Sequence, residues 1–374
     1  MTSIGGAEMV DWNLAVATAT RLVRPGPEVS RDEARAVVAE LRRHAKASEQ
    51  HVRGFTRMGT DDIHDTPILV VDRPGWVRAN VAGFREVLKP LLDKMQERRG
   101  NTPGGAVFGA VGGKVTGVEL GMLLSFLSSR VLGQYETFAP ASRELPAGAK
   151  GGRLLLVAPN IVHVERELDV QPHDFRLWVC LHEETHRTQF TAVPWLRDHL
   201  EGEIQSFLGE TEVDPMTVLE RIREAAQSLA GGRPEGEEDD NDGRSLVEIV
   251  QTPAQREILG RLTAVMSLLE GHADFVMDGV GPDVVPSVAE IREKFQQRRA
   301  KGASRLDSAL RKLLGLDAKL RQYRDGERFV RAVVDEVGMD GFNRVWTSPN
   351  TLPTKTEIAK PADWVARVHR KAES

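Results

Sequence analysis

Apolar residues recur every three to four positions along most of this chain, the period of helices with one buried face. Trp12 to Val23 carries such a stripe until Pro25 and Pro27 break it. Ser30 with Glu33 makes a capping box, so a helix is expected over Arg31 to His51. Its exposed side is strongly basic, which reads as a solvated face. Trp76 to Met95 is helical in pattern, and Pro90 is expected to kink it or end it early. Thr116 with Glu119 makes another capping box before Val118 to Phe138, a segment apolar almost all round. Such a segment belongs in a core and is expected to back the helix described below.

Short apolar runs of strand type are fewer. Arg153 to Val157 and Asn160 to Val164 are the clearest, and Ile68 to Val71 is a brief apolar run inside the loop-like stretch 59–75. The first of these is expected to rim a cleft and offer an edge to an extended peptide. Residues 100–114 are Gly-rich and read as a connector; Gly109 to Lys114 lacks the spacer and the Ser/Thr that a phosphate loop needs. Further helices are expected from Pro172 to Phe190, Leu200 to Leu208, Met216 to Leu229 and Thr252 to Asp278. Others are expected over 286–300, 304–314 and 317–337, with a C-cap near Gly338, and over Pro361 to Val368. The pattern gives a mainly α protein with a small β component, an α+β class. The organisation expected is a single chain, 1–374, with a helical part at 1–115, a central core at 116–280 and a second helical part at 281–374. Residues 231–243 hold six acids and no apolar residue, as expected of a disordered surface loop.

Composition narrows the function classes. An apolar content of 40% and a charged content of 28% over 374 residues suit a globular protein with its own core. A formal charge of -5 and two tyrosines give no electrostatic or stacking platform, so neither nucleic acid nor an anionic membrane is expected as partner. The lone cysteine, Cys180, lies in the apolar run Leu177 to Leu181 and reads as a small buried hydrophobe. Met1 to Asp11 shows no basic flank followed by an apolar run, and a cytoplasmic location is expected.

Candidate chemistry sits in His182-Glu183-Glu184-Thr185-His186. Residues i and i+4 of a helix share a face, so two imidazoles at that spacing can hold one zinc ion, with Glu183 beside them to take a proton from water. A third ligand must come from elsewhere. Glu270 lies on a strongly periodic helix, and Asp274, one turn on, could accept the N–H of a ligating histidine. His272 is the alternative ligand, although two residues of offset turn it from the Glu270 face. Isolated His-Glu pairs are usually surface groups. Here both histidines fall in an apolar helix, where unpaired polar groups are costly.

These residues resemble the gluzincin arrangement of zinc peptidases. More closely, the chain is similar to the actinobacterial zincin-like metallopeptidase family of type 2, whose members are often labelled as associated with biosynthesis of a deazaflavin coenzyme. The stretches that carry the likeness are Leu154–Ile161, Leu181–Phe190, Leu269–Asp274, Lys319–Tyr323 and Gly341–Trp346, and it covers nearly the whole chain. It implies a zincin-like core with the HExxH helix, backing helices and a short mixed sheet. It also implies zinc held by His182, His186 and Glu270, and Glu183 as general base. Tyr323 is a candidate oxyanion donor because it lies in one of these stretches, with Arg321 and Arg324 as rivals; a core tyrosine is an equal reading. The expected function is a zinc-dependent peptidase acting on a peptide. The alternatives are a zinc hydrolase of a small amide or ester, and a zinc-binding scaffold without turnover. No flavin-binding feature is visible.

Overall fold

The computed structural model describes residues 9–59, 66–99, 105–139, 152–209, 253–301 and 316–369, with backbone alone at 94–99, 105–113, 299–301 and 316–324. The helices expected over 216–229 and 304–314 and the acidic loop at 231–243 lie outside the described residues.

The chain runs α1 (Trp12–Leu22), α2 (Arg31–Thr56), β1 (Ile68–Val71), α3 (Arg73–Arg99), α4 (Gly105–Ser128), β2 (Gly133–Glu136), β3 (Arg153–Val157), α5 (Ala158–Leu168), α6 (Pro172–Ala192) and α7 (Pro194–Gly209). It continues with α8 (Pro253–Gly279), α9 (Val288–Lys301), α10 (Leu316–Phe342), α11 (Lys355–Ala359) and α12 (Pro361–His369). The class is therefore mainly α with a small mixed sheet. Ser30 caps α2 through the Glu33 N–H at 3.1 Å, and the helix runs on to Thr56 before Arg57 turns left-handed at φ 56°. Gly338, at φ 73°, breaks α10 with a backbone angle that glycine adopts freely.

Several expectations are corrected. Ile68–Val71 is a full strand, paired in parallel with β3. Of the two outcomes expected at Pro90, a kink or an early end, the early end does not occur, since α3 runs on to Arg99. The Gly-rich connector continues into helix from Gly105, so Thr116 and Glu119 fall within α4 and open nothing. That helix stops at Ser128, where the Ser128 and Ser129 hydroxyls fold back onto carbonyls three residues earlier. The chain then forms β2 instead of running helical to Phe138. Asn160–Val164 is part of α5: Pro159 sits in the first turn, and Ile161, Val164 and Leu168 bury one helical face.

The sheet order is β1-β3-β2, with β2 antiparallel to β3. β3 is thus the central strand with both sides paired, so it has no edge to give a peptide. β2 is an edge strand of the described sheet. The packing around α6 also differs from expectation. The helix is covered by α2 and α8, while the apolar α4 packs on α1 and α3 in a separate cluster with Trp76, Val77 and Leu155. A uniformly apolar helix shows no preferred partner in its sequence. A buried knot joins the two regions: Arg73 donates to Asn160 Oδ1 at 2.6 Å, and the Asn160 amide donates to the carbonyls of Ser128 and Val131 at 2.8 and 2.6 Å.

Candidate metal centre

The helix α6 is buried along most of its length, by Phe175, Trp178, Val179 and Leu181 among others. Cys180 is fully buried, with Sγ 3.8 Å from the Leu41 carbonyl, and burial pushes its thiol well up, so it packs as the small hydrophobe expected. His182 and His186 emerge from the same side of α6, and α8 brings Glu270 against them. α8 is seated by a backbone-to-backbone crossing with α10: a Cβ on Gly271 would lie 2.1 Å from the Gly326 carbonyl carbon.

One donor atom from each of His182, His186 and Glu270 lies within 4.8 Å of the others. The two Nε2 atoms are 3.3 Å apart. Glu270 Oε2 is 3.7 Å from His182 Nε2, and Oε1 is 3.7 Å from His186 Nε2. Ligands at about 2.0–2.1 Å around a tetrahedral zinc stand about 3.3 Å apart, so the spacing suits that ion.

The partner of the outer nitrogen fixes the tautomer of His186. His186 Nδ1 faces Gln189 Oε1 at 3.0 Å. The Gln189 amide cannot be reversed, because its nitrogen donates to the Leu269 carbonyl at 2.9 Å and lies 3.1 Å from His272 Nδ1. His186 therefore carries its proton on Nδ1 and turns the Nε2 lone pair inward. Asp274 Oδ1 lies 3.7 Å from His182 Nδ1 and favours the same tautomer there. Two nitrogen lone pairs and a carboxylate then face one point, a donor set that fits a cation.

His272, the alternative ligand, is not in this group. It is wholly buried against Phe342 and Trp346, with ring centroids 5.2 and 5.4 Å away. Burial, with His186 nearby, pushes its pKa down to about 3. It stays neutral and accepts from Gln189. Tyr323 lies on the part of α10 described by backbone alone, so its side chain is outside the described residues.

Glu183 is buried beside the sheet, and burial and the Glu270 carboxylate push it well above the usual carboxylate range. A cation at the donor set would draw it back down. Its neighbour across the gap is Gly133 of β2: a Cβ there would lie 2.5 Å from Glu183 Cγ and 2.9 Å from Oε1. Glu184 faces the other way, fully buried with Arg187 at 3.2 Å, and Glu49 is 3.6 Å from the same guanidinium nitrogen. Burial raises Glu184 to about 7 in spite of Arg187.

Gly133 and Gln189 are the two residues that sequence reasoning missed. Gln189 stands one turn after His186 and was legible in spacing; Gly133 left no signal, because it meets Glu183 only through the packing of β2 on α6. Two outcomes follow. If Glu183 acts on a substrate here, Gly133→Ala is expected to push it aside and lower the rate about 10²-fold with metal content unchanged, checked on the same sample. Gln189→Leu removes the acceptor for His186 Nδ1 and weakens zinc binding about 10–100-fold, checked by chelator competition.

Fold and site together bring three side chains from two neighbouring helices into a group that could hold a metal ion. The chain belongs to the zincin-like metallopeptidase family, which it matches over residues 10–365. It is also similar to a crystal structure from Chloroflexus aurantiacus, provisionally described as a hydrolase with a novel fold. That similarity has 30% identity and a TM-score of 0.68, and covers 96% of this chain and 99% of the other. No curated protein matches. Family membership implies zinc use. No helix among the described residues is long and apolar enough to cross a membrane.

Proposed function

We propose that this chain is a zinc-dependent hydrolase of peptide bonds, with zinc held by His182, His186 and Glu270. The observation that carries the reading is the convergence of two imidazole Nε2 atoms and one carboxylate, with an acceptor beside the outer nitrogen of each ring. Zinc bound there supplies a Lewis acid and a water of lowered pKa. Gln189 holds His186 in the ligating tautomer, and the Asp274 carboxylate, 3.7 Å from His182 Nδ1, favours the same form there. Glu183, next to the first histidine, takes the proton of the attacking water on its carboxylate and passes it to the leaving amine. Its burial keeps competing water from that oxygen.

β2 supports a peptide over a compact metabolite. The Leu132 carbonyl accepts from the Val157 N–H at 2.8 Å. By the alternation of an antiparallel ladder, the backbone groups of Gly133 and Tyr135 then point away from β3, along the outer edge of the sheet. An extended chain paired there would run past Glu183.

The test is metal analysis of the purified chain at neutral pH, followed by a quenched-fluorescence peptide library. At least one tightly held zinc and cleavage of internal amide bonds, abolished by a chelator and restored by zinc, is the expected result. Absence of tightly held zinc overturns the reading. Zinc with turnover of small esters or amides only moves the substrate to that class, and zinc with no turnover of either makes the chain a binding scaffold.

A further inference from the structure

We infer that Glu40, His44 and His173 form a second site for a divalent transition-metal ion of the zinc type, separate from the centre on the far part of α6. Glu40 and His44 stand one turn apart on α2, and His173 lies in the first turn of α6. One donor atom from each falls within 4.8 Å of the others. Glu40 Oε1 is 3.3 Å from His44 Nε2, the separation of two zinc ligands. The His44 and His173 rings meet edge to face, with centroids 4.7 Å apart.

The surroundings hold these groups as ligands are held. The second oxygen of Glu40 is paired with Arg176, which also pairs with Glu165, so the Glu40 carboxylate keeps Oε1 turned towards His44. Asp174 Oδ1 lies 3.3 Å from His173 Nδ1. The other oxygen, Oδ2, accepts from the Ser287 N–H at 2.9 Å and from its hydroxyl at 2.7 Å, so the carboxylate is fixed. An anchored carboxylate on Nδ1 leaves the Nε2 lone pair of His173 available. The His173 side chain is 58% exposed, which leaves a water-filled side for entry and for the remaining ligand.

Two imidazoles and one carboxylate suit zinc, cobalt or nickel better than calcium or magnesium. An ion there would tie α2 to the start of α6, the helix that carries the HExxH residues. The simpler arrangement is an i, i+4 hydrogen bond between Glu40 and His44 with no ion. It leaves the third ring, His173, without a part in the contact, although its centroid is 4.7 Å from that of His44.

The test is equilibrium dialysis of the metal-stripped full chain against zinc. The wild type is expected to take up one equivalent more than His173→Ala. His163→Ala removes an exposed histidine that stands 3.9 Å from Glu167, outside both donor groups found among the described residues, and it should match the wild type. Equal uptake by wild type and His173→Ala overturns the site, as does an equal loss in His163→Ala. The comparison is independent of the catalytic reading: if the His182 group held no zinc, both counts would fall by one and the difference would remain. Thermal unfolding adds a second readout. In a Glu270→Ala background, where zinc binding at the His182 group is weakened, zinc should raise Tm, and adding His173→Ala should reduce that rise; an equal rise in the two chains also overturns the site.

Discussion

Glu183→Gln keeps its zinc and loses turnover by roughly 10³-fold, within the range of about 10²–10⁴ for a general acid–base group. The substitution preserves the shape of a side chain packed against Gly133, where there is no room for a larger change. It removes only the ability to take a proton. Metal content, the unfolding curve and the rate on the same sample separate these effects. Full activity would show that another group handles the proton. Loss of zinc would show that Glu183 supports the ion more directly than its position beside His182 requires.

Glu270→Ala is expected to lose both zinc and turnover. Zinc affinity in small protein sites of about 10–16 kcal/mol is shared among the ligands, so deleting one of three weakens binding by roughly 10²–10³-fold. Glu270 also sets the charge of the centre. Without it, two imidazoles remain 3.3 Å apart with no carboxylate to bridge them. The measurement is zinc retention after gel filtration, with Gln189→Leu as the graded comparison. An unchanged zinc count in Glu270→Ala would reject the carboxylate as a ligand. Glu183→Gln and Glu270→Ala thus separate proton transfer from metal binding: the first removes rate alone, the second both.

The helical parts of the protein were legible because their signals are local. The α2 N-terminus follows from Ser30 and Glu33, and α6 and α8 follow from long stripes between prolines. The short strands were not equally legible. Gly133–Glu136 has no alternation longer than its own four residues and becomes a strand only because β3 lies beside it. Asn160–Val164 reads as strand by composition, yet the Pro159 start and the buried face of Ile161, Val164 and Leu168 make it helical. α4 was expected to back α6 because it is apolar all round, a feature that names no partner.

The sequence by itself determined the donor types and their pairing on helices: His182 with His186 at one-turn spacing, and Glu270 with Asp274 on a second helix. Helical geometry is local, so a four-residue spacing puts two side chains on one face whatever surrounds them. Only the tertiary structure decided which of Glu270 and His272 reaches those histidines. The two share a helix, and the choice depends on how α8 rotates against α6 and on the Gly271–Gly326 crossing that seats it. The same holds for Gln189 and Gly133. One directs a tautomer by an amide anchored on α8, and the other leaves space for Glu183 from a different strand. Contacts between segments far apart in sequence are set by packing, and packing is not encoded in any one stretch of the chain.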